Sequence, residues 1–189
     1  MLPRKKGKGN AMGGFSIWHW LIFLGLIVVA LVLIPCALAW LIGLVFPRAK
    51  EILLRLLRTY LGVLAGVITA WLTISTCEFL GASLYPPPPG TDFSNPQALA
   101  AYIASAPMSA MLIVVAGWSF GALIGSWIAA CIASYRLAAA VTVATVVLLG
   151  VIANNMMIPH PQWMTIAGIV LPIPLAWLAA RLAPPRVQR

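Results

Sequence analysis

Glu78 is the only acid of this chain that falls inside a long, uninterrupted apolar run. An ionisable side chain placed in hydrocarbon is costly, so it faces a polar partner or a cavity and points to function. At helical spacing Ser75, Gly81 and Tyr85 share its face. Asn154 and Asn155 lie near the end of a later apolar run, and His160 stands in the connection just beyond it. On the topology argued below, Glu78 sits roughly 10 Å beneath one membrane surface, with the asparagines at similar or shallower depth. Two arrangements fit these residues. One is an outward-facing polar pocket in which Glu78 takes up and releases a proton. The other is a structural hydrogen bond, with a protonated Glu78 held by Asn154 or Asn155. Satisfied polar contacts between helices are common in membrane bundles, which favours the second.

Other chemistries find less support. His19 and His160 both come near that same surface. A bis-histidine haem needs two imidazoles facing each other, which a loop histidine between prolines supplies poorly, and no attachment motif is present. No cofactor is expected, and His160 reads as a solvated loop residue. The remaining acids, Glu51 and Asp92, differ too much from Glu78 in expected depth to form a catalytic carboxylate pair. No G-x-S-x-G, phosphate loop or HExxH occurs. Cys36, Cys77 and Cys131 lie in apolar runs without a CxxC or a Cys/His cluster, so they read as small buried side chains rather than metal ligands. A non-enzymatic role is expected.

The elements that must position Glu78 follow from composition. The chain is 62% hydrophobic and 8% charged, against about 25% charged residues in a soluble domain. Its apolar runs approach the length needed to cross a bilayer, and they are continuous rather than alternating. The expected class is all-α: an integral membrane helical bundle whose principal partner is the lipid bilayer. The net charge of +9 comes in short patches beside apolar runs, as in positively charged cytoplasmic loops, so nucleic-acid binding is not expected.

Residues 1–14 are basic and glycine-rich and read as a disordered tail. Residues 15–46 carry no acid, lysine or arginine and form one N-terminal transmembrane helix, with Trp18, His19 and Trp20 at an interface and a kink at Pro35. Residues 47–58 form a basic amphipathic segment for the headgroup layer, with Glu51 able to pair with Arg55. Residues 59–184 form a four-helix transmembrane bundle from the runs 60–84, 107–134, 137–158 and 163–182, followed by a short tail at 185–189. Asn95 and Pro96 start a surface helix that continues to about Ser105. Pro172 and Pro174 kink or unwind the last run. Pro86, Pro87, Pro88 and Pro89 stop the preceding helix and act as a stiff spacer rather than a ligand strip.

Charge assigns the sides. The 47–58 segment, Arg136 and the C-terminal arginines belong to the cytoplasmic face. Connections 85–106 and 159–162 contain no Lys or Arg and face outward. Five spans then place the N-terminus outside, against the preference of Arg4, Lys5, Lys6 and Lys8. Either translation begins at Met12, which removes the conflict and is the favoured resolution, or the tail stays inside and the first run does not span.

Gly117, Gly121, Gly125, Ala129 and Ala133 recur at every fourth residue, and Gly62, Gly66 and Ala70 form a shorter stripe. Small side chains let helix backbones approach closely in lipid. The stripes either pack within one subunit or build a homo-oligomer on residues 117–125. Single-chain bundles use the same contacts, which favours the first.

Residues 12–24, MGGFSIWHWLIFL, resemble the start of the small single-span subunit of the twin-arginine protein translocase. That resemblance implies an outside N-terminus, agrees with a start at Met12, and raises a component associated with protein export as one reading. The chain departs from that family in its longer apolar run and in lacking the Phe-Gly hinge. Residues 54–182, through LYPPPPG, NPQALAAY, the glycine-spaced helix and NNMMIPHPQW, are similar to a group of small four-helix bacterial membrane proteins. This second resemblance implies a bacterial inner-membrane location and supplies no activity. The leading expectation is therefore an accessory or scaffold protein, alone or with a membrane-protein partner. The alternative is a small transporter or lipid-handling protein using the polar site around Glu78.

Overall fold

In a computed structural model the described residues are 29–46, 49–88 and 95–184, and among them all regular structure is helical. A π-helical turn, Val29–Leu33, leads into α1 (Ile34–Val45), so the expected disturbance at Pro35 takes the form of a change in helix type. The bundle follows as α2 (Lys50–Leu84), α3 (Pro96–Ser105), α4 (Met108–Ile132), α5 (Arg136–Met157), α6 (Gln162–Val170) and α7 (Pro172–Leu182). Among the described residues four helices are long and apolar enough to cross a membrane: α2, α4, α5 and the α6–α7 unit. The described part of the first run, Ala30–Val45, is shorter than a span. The tail, Met12, His19 and the tryptophans beside it lie outside the described residues, and the fifth span rests on that region.

No boundary separates the basic segment from the bundle. Lys50–Leu84 is one helix of 35 residues, about 52 Å long against a hydrocarbon core of about 30 Å. Neither proline nor glycine interrupts it between Lys50 and Leu61, so nothing stops the helix where the apolar stretch begins.

The centre of the bundle is α4. Its small residues are buried on several sides: Gly117, Gly121, Gly125 and Ala129 toward α2, Ser126 toward α5, and Ala130 toward α7. A Cβ added to Gly62 would lie 2.9 Å from the Ala129 carbonyl oxygen, and one added to Gly121 would lie 2.7 Å from the Ile74 side chain. The two stripes are therefore each other's partners. Their contact is made within the chain, and the face that carries Gly117, Gly121 and Gly125 is covered by α2. Ser126 donates to the Ala140 carbonyl at 2.9 Å and ties α4 to α5. A second small-residue cluster, Ala130, Ala140, Ala144, Ala176 and Ala183, seats α7 against both.

Outside this core, large apolar side chains face outward, among them Trp71 at 65% and Met156 at 83% exposure. Hydroxyl groups on the same helices donate back to the carbonyl four residues earlier, as Thr76 does to Leu72 and Thr145 to Val141. Such internal satisfaction suits a surface that faces hydrocarbon.

The basic end is held by arginine on helix termini. Arg58 Nε donates to the Ile132 carbonyl at the end of α4, at 2.9 Å. Arg136, at the start of α5, donates to the carbonyls of Ala180 and Ala183 at the end of α7. Helix C-termini carry carbonyls without intrahelical donors and a negative dipole end, and guanidinium groups answer both. Thr59 joins this end by accepting from the Tyr135 N–H and donating to the Arg55 carbonyl.

Candidate functional site

At the opposite end, α2 stops at Leu84 where the proline run begins. The chain then returns through α3, whose N-terminus is capped by Asn95 accepting from Gln97 and Ala98 N–H groups. Tyr102 of α3 donates its hydroxyl to the Tyr85 carbonyl at 3.4 Å. This ties the surface helix to the end of α2 and places Tyr102 and Ile103 on the wall of a cavity that Glu78 also lines.

Glu78 is common to two adjoining cavities. The first, about 300 Å³, runs between α2 and α5, with Val67, Ala70, Trp71 and Ile74 on one wall, Val146, Gly150 and Asn154 on the other, and Trp118 of α4 behind. The second, about 220 Å³, lies under α3 and is lined by Gly81, Tyr85, Tyr102, Met111, His160 and Met164. Trp71 and Val146 at the rim of the first are exposed, so that cavity opens sideways on the outer face of the bundle. Glu78 itself is exposed rather than enclosed.

The predicted polar residues divide. Glu78 and Asn154 share the first cavity; Glu78, Tyr85 and His160 share the second. Asn155 belongs to neither. Its Nδ2 donates to the Val151 carbonyl at 2.8 Å, and its Oδ1 accepts from Thr165 Oγ1 at 2.6 Å, which pins α5 to α6. The expected hydrogen bond between Glu78 and an asparagine does not form: among the described residues none reaches the Glu78 carboxyl group. Successive residues on a helix point about 100° apart, so only Asn154 can share the groove with Glu78. Ser75 lines neither cavity.

His160 is not a solvated loop residue. Pro159 and Pro161 flank it, and its ring meets the buried Trp118 edge-on, with centroids 5.7 Å apart and an interplanar angle of 68°. Its Nδ1 lies 2.8 Å from the Ile158 carbonyl. A carbonyl only accepts, so Nδ1 carries a proton and donates it to this contact.

Trp118, Trp71, Gly150 and Tyr102 were not singled out by sequence reasoning. Gly150 could have been found, because Val146, Gly150 and Asn154 form one row at four-residue spacing on α5. Trp118 gives no such signal: its role depends on which face of α4 meets the α5–α6 turn. A Cβ on Gly150 would meet nothing within 4 Å, which leaves that wall of the groove open.

Among the described residues no group of three or more His, Cys, Asp or Glu is placed to hold a metal ion. The polar groups that line the cavities, the Glu78 carboxyl group, the Asn154 amide, the Tyr85 and Tyr102 hydroxyls and the His160 ring, are set in largely apolar walls. Such a site can hold an amphiphile whose head donates hydrogen bonds or carries positive charge. The chain matches no family model, no curated protein and no solved structure.

Proposed function

We propose that the chain is a lipid-handling protein of the bacterial inner membrane, which receives a single-chain amphiphile sideways into the groove between α2 and α5. The apolar walls take the hydrocarbon chain, and Glu78 with Asn154 takes a donor-bearing head such as an ammonium group. The observation that carries this reading is the position of Glu78, shared by two cavities whose other walls are largely apolar. Connections 85–106 and 159–162 face outward and the C-terminus is cytoplasmic, a placement supported by the arginines clustered at the far end of the bundle. The reaction class is binding or transfer; no bond is made or broken.

The test is thermal unfolding of the purified protein in nanodiscs of neutral lipid, with dodecylamine, dodecanol and dodecanoic acid added at equal concentration. Dodecylamine stabilises wild type most, and Glu78→Gln reduces that stabilisation to the level given by dodecanol. Equal shifts from all three compounds, or an unchanged amine shift in Glu78→Gln, would contradict the reading.

An accessory or scaffold role retains one support. Among the described elements α1 packs along α2, the π-helical turn before it is anchored by the Tyr60 hydroxyl on the Leu31 carbonyl at 2.8 Å, and outer side chains of α1, including Trp40, stay exposed. The export reading rests on residues 12–24, which lie outside the described residues.

A further inference from the structure

We propose that the cytoplasmic end of the bundle, remote from Glu78, carries a second site, one that binds the phosphate of an anionic phospholipid between α5 and α7. A cavity of about 340 Å³ is lined there by Arg136, Leu137, Trp177, Ala180 and Arg181. Two guanidinium groups therefore face one small volume whose remaining walls are apolar.

Each arginine is held in place by the protein. Arg136 is fixed by its bonds to the Ala180 and Ala183 carbonyls, while its Nε is buried and has no partner among the described residues. A buried charged donor left unmatched is unfavourable, and an anion held in the adjoining cavity offsets its charge. Arg181 lies over the Trp177 ring, with its central carbon 3.5 Å from the ring centroid. Stacking uses the flat face of the guanidinium and leaves its in-plane N–H groups for an anion.

No acidic side chain lines this cavity, and Glu78 lies at the other end of α2. The N-terminus of α5, at Arg136, brings its positive dipole end, while the carbonyl end of α7 beside it is already answered by Arg136. Leu137 and Trp177 are exposed on the outer face of helices apolar enough to cross a membrane. These walls favour a phosphate attached to acyl chains over a free ion, since the chains can lie along Leu137 and Trp177 while the head enters between the arginines.

Native mass spectrometry from mixed micelles tests this, with phosphatidylglycerol and phosphatidylcholine supplied at equal amounts. Wild type retains phosphatidylglycerol at least tenfold over phosphatidylcholine. Arg181→Gln lowers that preference at least fivefold, whereas Arg55→Gln, on the exposed face of α2 and outside the cavity, leaves it within twofold. Arg181 is chosen because Arg136 also holds the end of α7 and its removal could unfold that end. Equal retention of the two lipids overturns the proposal. So does an Arg181→Gln chain that behaves as wild type, or an Arg55→Gln loss as large as that of Arg181→Gln. Full displacement of phosphatidylglycerol by millimolar inorganic phosphate assigns the site to the free anion and overturns the lipid source. The Glu78→Gln chain keeps the preference, so this result and that of the amphiphile test are separable.

Discussion

Gly66 and Gly125 meet backbone to backbone. A Cβ on Gly66 would lie 2.5 Å from the Gly125 carbonyl oxygen, and a Cβ on Gly125 would lie 2.6 Å from that of Gly66. Neither obstacle is a movable side chain, so the helices must part to admit even a methyl group. Gly66→Ala and Gly125→Ala each lower stability by about 1–3 kcal/mol. Reversible unfolding in mixed micelles measures the loss.

Gly150 offers the internal contrast. It is also a helical glycine, yet it faces open space. Gly150→Ala leaves stability unchanged or raises it by up to about 1 kcal/mol, the ordinary helical gain over glycine. If both alanine substitutions in the α2–α4 contact and this one behave alike, the assignment of the stripe to intramolecular packing is wrong.

Asn155 and Thr165 form the side-chain hydrogen bond that joins α5 to α6. A double-mutant cycle of Asn155→Ala and Thr165→Val gives a coupling energy of about 0.6 kcal/mol, the size found for such bonds in membrane bundles. Repeating the cycle with Asn154→Ala and Thr165→Val gives no coupling, because Asn154 lines the groove instead.

Arg58 closes the end of α4 through the Ile132 carbonyl. The side chain is exposed, so Arg58→Ala costs only about 0.5–1 kcal/mol, and added salt reduces the difference between variant and wild type. Unfolding at low and high ionic strength reads both effects.

Much of this architecture is legible in the residues. Helix ends at the proline run, the Asn95 cap and the break before Pro172 are local events, written in side chains within a few positions of where they act. The small-residue stripes also declare themselves, since their four-residue spacing has one physical use in lipid. What pairs with a stripe is not local: either Gly62–Gly66–Ala70 or a second copy would satisfy the same pattern. The site is legible to the same degree. Glu78 stands out because an acid inside a long apolar run is rare, but the split between Asn154 and Asn155 depends on the rotation of α5. His160 appears solvent-bound from its loop, and only the position of Trp118 turns it inward. The clustering of the arginines beside apolar runs is visible in the sequence, whereas their bonds to the carbonyls of other helices need the folded chain.

The account depends most on an amphiphile entering beside Glu78. A long-chain alkylamine bearing a diazirine near its head, photolysed with the protein in nanodiscs and mapped by peptide mass spectrometry, reads this directly. The account predicts labels concentrated at Trp71, Ile74 and Asn154, suppressed by excess dodecylamine and lost in Gly150→Phe, which fills the groove from its open wall. Labels spread evenly over exposed positions such as Trp40 and Phe79, or unchanged in Gly150→Phe, would contradict it.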